Sequence, residues 1–226
     1  MWAVFKKEIK TYFCTPIGYV FIGLFLAMCS IFFYIDVYMS GSVKFENLFY
    51  SVASVLTFIV PILTMRMFSE ERKNGTEQIL FTTPKSITDI VMGKFLSATG
   101  IIIITEIATL MYFIILKFFG TPEVLISIVT MLGFLLLSMA YISFGMFASS
   151  LTENQIVAGV ITIAFFIITW FLPEFSEIFS SFSLINLFSN FPSGRVSISD
   201  ITSLVTFTIL FILLTMIVLQ RRKSIK

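Results

Sequence analysis

The chain has 226 residues, of which 58% are hydrophobic and only 12% charged, with a mean hydropathy of +1.00. Globular chains carry roughly a quarter charged residues, so this composition excludes an ordinary water-soluble fold. The net charge of +2 gives no electrostatic reason to expect a nucleic-acid partner. At roughly 20 residues per spanning helix the length allows six or seven crossings with short connections and leaves no soluble domain.

Residues 1–15 place Trp2, Phe5, Ile9, Tyr12 and Phe13 on one helical face, with Lys6, Lys7, Glu8 and Lys10 around the other, the pattern of a helix lying in the membrane interface. Pro16 and Gly18 break it, and a first span follows over 19–38. A retained span, rather than a cleaved signal peptide, fits the length of this apolar run. Cys14 and Cys29 would lie about 22 Å apart along one helix and cannot pair within the chain.

The second span covers 48–67 and carries Pro61 as a kink. Residues 68–92 form the one substantial polar stretch, and Ser86 with Asp89 reads as the N-cap of the third span, 93–116. Pro122 marks the next turn. The fourth span covers 124–147, and Thr152 with Gln155 has capping-box spacing for the fifth, 155–171, closed by Pro173. Residues 174–199 are too broken by Ser, Pro and Gly to span but too apolar for a free loop. A re-entrant hairpin dipping into the outer leaflet is expected there. The last span covers 201–219. The sequence thus predicts an all-α integral membrane protein of six transmembrane helices, with an N-terminal interface helix and an outer re-entrant hairpin between helices 5 and 6.

Basic residues near span ends set the orientation. With the N-terminus inside, Lys44, Lys117 and Arg195 fall outside and the other twelve of the 15 Lys and Arg fall inside. Both termini are therefore expected in the cytoplasm, in a multi-pass protein of the plasma membrane. A seventh crossing would move the basic C-terminal cluster outward and destroy the asymmetry.

Much chemistry is missing. There is no histidine, which removes HExxH sites, Ser-His-Asp triads and histidine metal clusters. No GxxxxGK[ST] motif is present, so the chain has no P-loop of its own. Glu106 is the single ionisable residue near the middle of a span, where a charge costs at least about 2.5–3.5 kcal/mol. It either lines a route for cargo or ions, or is a neutral carboxyl bonded to another helix.

The segment FSEERKNGTEQILFTTP runs from Phe68. Ser69 to Lys73 would carry the second helix out of the membrane as a charged turn. Gly75 would reverse the chain, and Ile79, Leu80 and Phe81 would return apolar surface to the bilayer. The expected result is a short cytoplasmic hairpin with Glu70 and Glu71 at its tip. A solvated loop whose charges compensate one another is the plain alternative.

The run PILTMR from Pro61, followed by EERKNGTEQIL, T-x-P and a Gly93-Lys94 pair, resembles the ABC-2 type permeases, nearest the gliding-motility and nitrous-oxide-reductase-maturation type. SSLTENQIVAG from Ser149 and FSNFPSGRVSISD from Phe188 are similar to the same family. Gln78 departs from the usual residue before the apolar pair.

The resemblance implies a homodimer, or a pair with a related permease, of six-helix subunits in membrane lipid. Each would be docked on a separate ATPase subunit that holds ATP and Mg, with no cofactor and no catalytic site in this chain. Glu70, Glu71, Arg72, Gly75, Thr76 and Glu77 would then couple to the ATPase, with Thr152, Glu153 and Asn154 as a second cytoplasmic loop. Spans two and five would border the route and the partner protomer, making Ser54, Thr57, Pro61 and Gly159, with Glu106, candidate route residues. The function expected is an exporter's permease subunit; the alternative is an ion-coupled secondary transporter, which would run without an ATPase.

Overall fold

A computed structural model describes residues 1–39, 41, 44–78, 85–175 and 183–225. Nine helices lie among the described residues: α1 Trp2–Cys14, α2 Pro16–Tyr34 with a π-helical end Ile35–Met39, α3 Phe45–Thr64, α4 Ser69–Lys73, α5 Ile87–Phe119, α6 Val124–Leu151, α7 Gln155–Phe175, α8 Leu184–Ser189 and α9 Ile198–Ile225. Five stretches are long and apolar enough to cross a bilayer: Pro16–Met39, Phe45–Lys73, Ile87–Phe119, Val124–Leu151 and Ile198–Ser224. Gln155–Phe171 is a shorter apolar helix beside them. The expected six spans therefore resolve into five long helices and a short one.

Apolar side chains cover the outside as well as the core. Ile107, Met111 and Ile114 on α5, Leu125 and Ile128 on α6, and Ile209, Leu213 and Ile217 on α9 are all exposed. Faces of this kind are stable against hydrocarbon and not against water.

The core is organised around α6, which packs on α3, α5, α7 and α9. Phe134, Leu137 and Tyr141 are fully buried along it. Glycine permits the two closest approaches: a Cβ at Gly145 would overlap the Thr64 side chain on α3, and one at Gly133 would overlap the ring of Phe191. Phe191 follows α8, whose Leu184, Leu187 and Phe188 are also buried, so this part of the expected re-entrant stretch is covered by protein. The rest of that stretch, 176–182, lies outside the described residues.

The amphipathic α1 spends part of its apolar face on protein. Val4 fits against Gly93, and Ile9 and Phe5 approach Gly100, one side of α5. The break to α2 falls at Thr15, with an extended backbone and Pro16 in the first turn of α2, where its missing N–H is no loss. Burial raises the pKa of the Tyr12 phenol above its ordinary value, with the nearby Glu8 charge adding to it. The phenol thus stays protonated and donates to the Leu63 carbonyl at 3.3 Å, pinning α1 to the end of α3.

Two boundary expectations need correction. Thr152 does not cap α7. Asn154 does, its Oδ1 accepting from Ile156 N at 2.9 Å, while Thr152 Oγ1 accepts from Asn154 N. Asn154 directly precedes the first helical residue, Gln155, so its side chain meets the free amides and the Thr–Gln box is not used,. Pro173 does not close the helix but sits inside it, since its fixed φ is helical and one lost hydrogen bond near the end is tolerable. The Ser86 cap is as expected, its hydroxyl accepting from Asp89 N at 3.0 Å.

Candidate functional site

Nearly all of the paired charge gathers at one end of the bundle, where α1, the end of α3, α4, the start of α5, the end of α6 and the last turns of α9 meet. The chain leaves α3 at Thr64, turns through Met65 to Phe68 and enters α4. A turn of this kind strands backbone groups, and one side chain satisfies three of them. Ser149 Oγ on α6 accepts from Phe68 N (3.0 Å) and Ser69 N (3.1 Å) and donates to the Met65 carbonyl (3.0 Å). The α3–α4 break is thereby fastened to α6.

Beyond α4 the chain reverses at Gly75, which has φ +70° and open space around it. This left-handed conformation is the one glycine adopts without penalty. Asn74, Gly75 and Thr76 are exposed at the tip. Glu70 and Glu71 are not at the tip, and here the sequence expectation is corrected: Glu70 pairs with a base one helical turn before it, and Glu71 is drawn onto the bundle by a base of α5. Glu70 receives a bidentate pair from Arg66, at 2.7 Å from Nε and 2.6 Å from the terminal nitrogen, and its side chain remains 35% exposed. Glu71 Oε1 lies 2.9 Å from Lys94 Nζ. Lys94, only 3% exposed, also meets Glu8 Oε1 of α1 at 3.1 Å, and its ammonium sits 5.3 Å from the centre of the Phe68 ring.

The remaining candidates bind the hairpin to the rest of this end. Arg72 pairs with Glu153 at 2.8 Å and donates to the Leu151 carbonyl at 3.2 Å, so the hairpin and the loop between α6 and α7 are joined directly. Thr76 Oγ1 donates to the Glu71 carbonyl at 3.2 Å. Glu77 is buried and meets Arg222 of α9 at 3.4 Å; Arg222 also reaches the Leu151 carbonyl. The structure thus brings Glu70, Glu71, Arg72, Gly75, Thr76, Glu77, Thr152, Glu153 and Asn154 into one region. Ile79, Leu80, Phe81 and the rest of 79–84 lie outside the described residues.

Sequence reasoning missed Glu8, Lys94, Ser149 and Arg222 as members of this site. Their signals were present: a lone acid among three lysines, a lysine opening an apolar helix, and a serine pair ending another.

The candidate route residues are more scattered. Thr57 is buried and donates to the Tyr141 hydroxyl at 3.5 Å, and Tyr141 stacks on Phe166 at 3.9 Å. Pro61 is buried on the same helix, and Gly159 is buried near Met65. Ser54 points away from these, exposed between Tyr50 and Phe58. Glu106 lies on α5, 6% exposed, with Oε1 lacking a hydrogen-bond partner among the described residues.

The other end of the bundle is different in kind. A polar cleft of about 620 Å³ is lined by Lys44, Glu46, Asn47, Tyr50, Asn190 and Arg195, among others. Lys44 and Arg195 make no ion pair with described residues, and Glu46, 6% exposed, has an Oε2 without a partner there.

Among the described residues no group of His, Cys, Asp and Glu could hold a metal ion. Apolar exteriors and five bilayer-length helices define a multi-pass membrane protein whose polar contacts gather at one end. The sequence profile of the ABC-2 family transporter proteins matches residues 2–223, and the chain belongs to that family. It is accordingly a membrane permease of an ABC transporter. No curated protein matches it.

Proposed function

We propose that this chain is the membrane subunit of an exporter, working as a dimer, with a separate ATPase seated on the end formed by the hairpin 68–84 and the loop 152–154. Within its family the motifs around Arg66, Gly75 and Gly93 favour the gliding-motility and nitrous-oxide-reductase-maturation type. ATP and Mg belong to the partner subunit, and both termini lie on the cytoplasmic side of the plasma membrane. The six-span topology counts Gln155–Phe171 as a crossing.

The observation that carries this reading is mechanical. A docked protein pushing on the exposed turn at Asn74 to Thr76 would press on helix α4, which is fixed to α6 through Ser149, to α5 through Lys94 and to the α6–α7 loop through Arg72. A solvated loop needs none of these attachments. Movement at this end would reach α5, α6 and the α6–α7 loop at once.

The dimer surface follows from the exposed stripe Tyr50, Ser54 and Phe58 on α3, beside Val157, Ile161, Ala164 and Ile168 on α7. Small residues in it permit close helix approach. Topology is tested by single cysteines at Asn74 and Ser193, each exposed. An impermeant maleimide should label Ser193→Cys from outside intact cells and leave Asn74→Cys unlabelled. Labelling of Asn74→Cys would reverse the orientation and sink the docking assignment with it.

A further inference from the structure

We propose that Lys94 is an ionic latch with one fixed partner, Glu8, and one releasable partner, Glu71, so that the hairpin can leave the bundle without stranding a buried charge. The proposal rests on the coupling reading above and specifies how the hairpin is held and let go.

The geometry carries an excess of acid. A single ammonium, almost wholly buried, meets two carboxylates at 3.1 and 2.9 Å. A buried base with only one partner is expensive to separate from it, because the charge left behind has lost its water. With two partners it can lose one and keep the other. Glu71 adds a second sign of loose attachment: its Oε2 is buried and has no hydrogen-bond partner among the described residues.

The two acids stand on supports of unequal firmness. Glu8 belongs to α1, which is held to α5 by Val4 against Gly93 and by Ile9 and Phe5 near Gly100, and to α3 by the Tyr12 hydroxyl. Glu8 also has Lys7 at 4.0 Å. Glu71 belongs to a helix of five residues that is held at its start through Ser149, is tied farther along at the surface through Arg72 to the exposed Glu153, and ends in an exposed glycine turn. When the hairpin is displaced, Glu71 leaves with it and Lys94 stays with Glu8. A cationic group on a docked protein could then take up the freed carboxylate, exchanging one charge-assisted bond for another.

Two acids about equally distant from one ammonium should therefore have opposite effects when neutralised. In Glu8→Gln, Lys94 depends on Glu71 alone and the hairpin is held more tightly. In Glu71→Gln, Lys94 keeps Glu8 and the hairpin is freed. The test uses the purified permease without its ATPase, with spin labels on cysteines at Lys10 and Asn74, both exposed, and hydrogen exchange of the amides of 69–75. Glu8→Gln should narrow the distance distribution and slow exchange by roughly tenfold, the scale of one hydrogen bond to a charged group. Glu71→Gln should broaden the distribution and speed exchange by a similar factor. If Glu8→Gln does not insert, Glu8→Asp, which keeps the charge but withdraws it, should shift the same way by less. Equal loosening by both variants makes the triad a plain structural contact and overturns the latch, as does no change in either. Because no ATPase is present, opposite shifts together with absent ATPase binding at this end would sink the docking reading and leave the latch standing.

Discussion

The two ends of the bundle are polar for different reasons. At the hairpin end every acid of the candidate site has a base: Glu70 with Arg66, Glu71 and Glu8 with Lys94, Glu153 with Arg72, and Glu77 with Arg222. At the other end Lys44 and Arg195 stand in a cleft without ion pairs to described residues, and the third cation expected there, Lys117, lies over the Phe113 ring at 5.4 Å. Charge at the first end serves as fastening between helices distant in sequence. Charge at the second lines an open cleft. The difference teaches that the count of basic residues, which set the expected orientation, understates what those at the hairpin end do.

The comparison is broken most severely at Lys94. Lys94→Ala would leave two carboxylates, 14% and 17% exposed, with only the exposed Lys7 4.0 Å from Glu8, a loss of about 3–5 kcal/mol. Lys44→Ala and Arg195→Ala at the other end should each stay within about 0.5 kcal/mol. Thermal unfolding in detergent would distinguish them, and similar midpoints for all three would erase the contrast.

A smaller effect is expected at Ser149. Ser149→Ala strands the backbone N–H groups of Phe68 and Ser69 at the α3–α4 break, while the Met65 carbonyl keeps the Ser69 hydroxyl, a destabilisation of about 1–3 kcal/mol,. Hydrogen exchange should rise at Phe68 and Ser69 while the amides of α8 are unchanged. Uniform exchange across the chain would mean that the fastening is not local.

Gly75→Val is smaller still in stability, about 1–2 kcal/mol for a β-branched residue at φ +70°,. Its effect on transport should exceed that, because the tip is the part expected to meet the ATPase. Full transport with a bound ATPase would show that the turn's shape is irrelevant.

The sequence made the hairpin legible because its signals are local: charges after an apolar run, then a glycine. The start of α5 was legible for the same reason, at Ser86. The α7 cap was misread because two side chains in Thr152–Glu153–Asn154 could serve and only the backbone path chooses between them. The Arg66–Glu70 pair has the i,i+4 spacing of a helix pair, but the long-range ion pairs were not legible,. Glu8 meets a lysine 86 positions away and Glu77 an arginine 145 positions away, and neither pairing has periodicity to announce it. Helix arithmetic groups Glu8 with Lys6, Lys7 and Lys10, which are exposed, but Glu8 stands beside Ile9, whose packing on α5 brings its carboxylate to Lys94.

The most direct test of the account is photo-crosslinking in the intact transporter, with a photoreactive residue replacing Asn74 or Ser193, one at each end. The Asn74 probe should trap the ATPase subunit, and the Ser193 probe should not. Capture of the ATPase from Ser193, or from neither position in a complex that hydrolyses ATP, would contradict the assignment of the hairpin end as the place where ATP-driven movement enters the membrane.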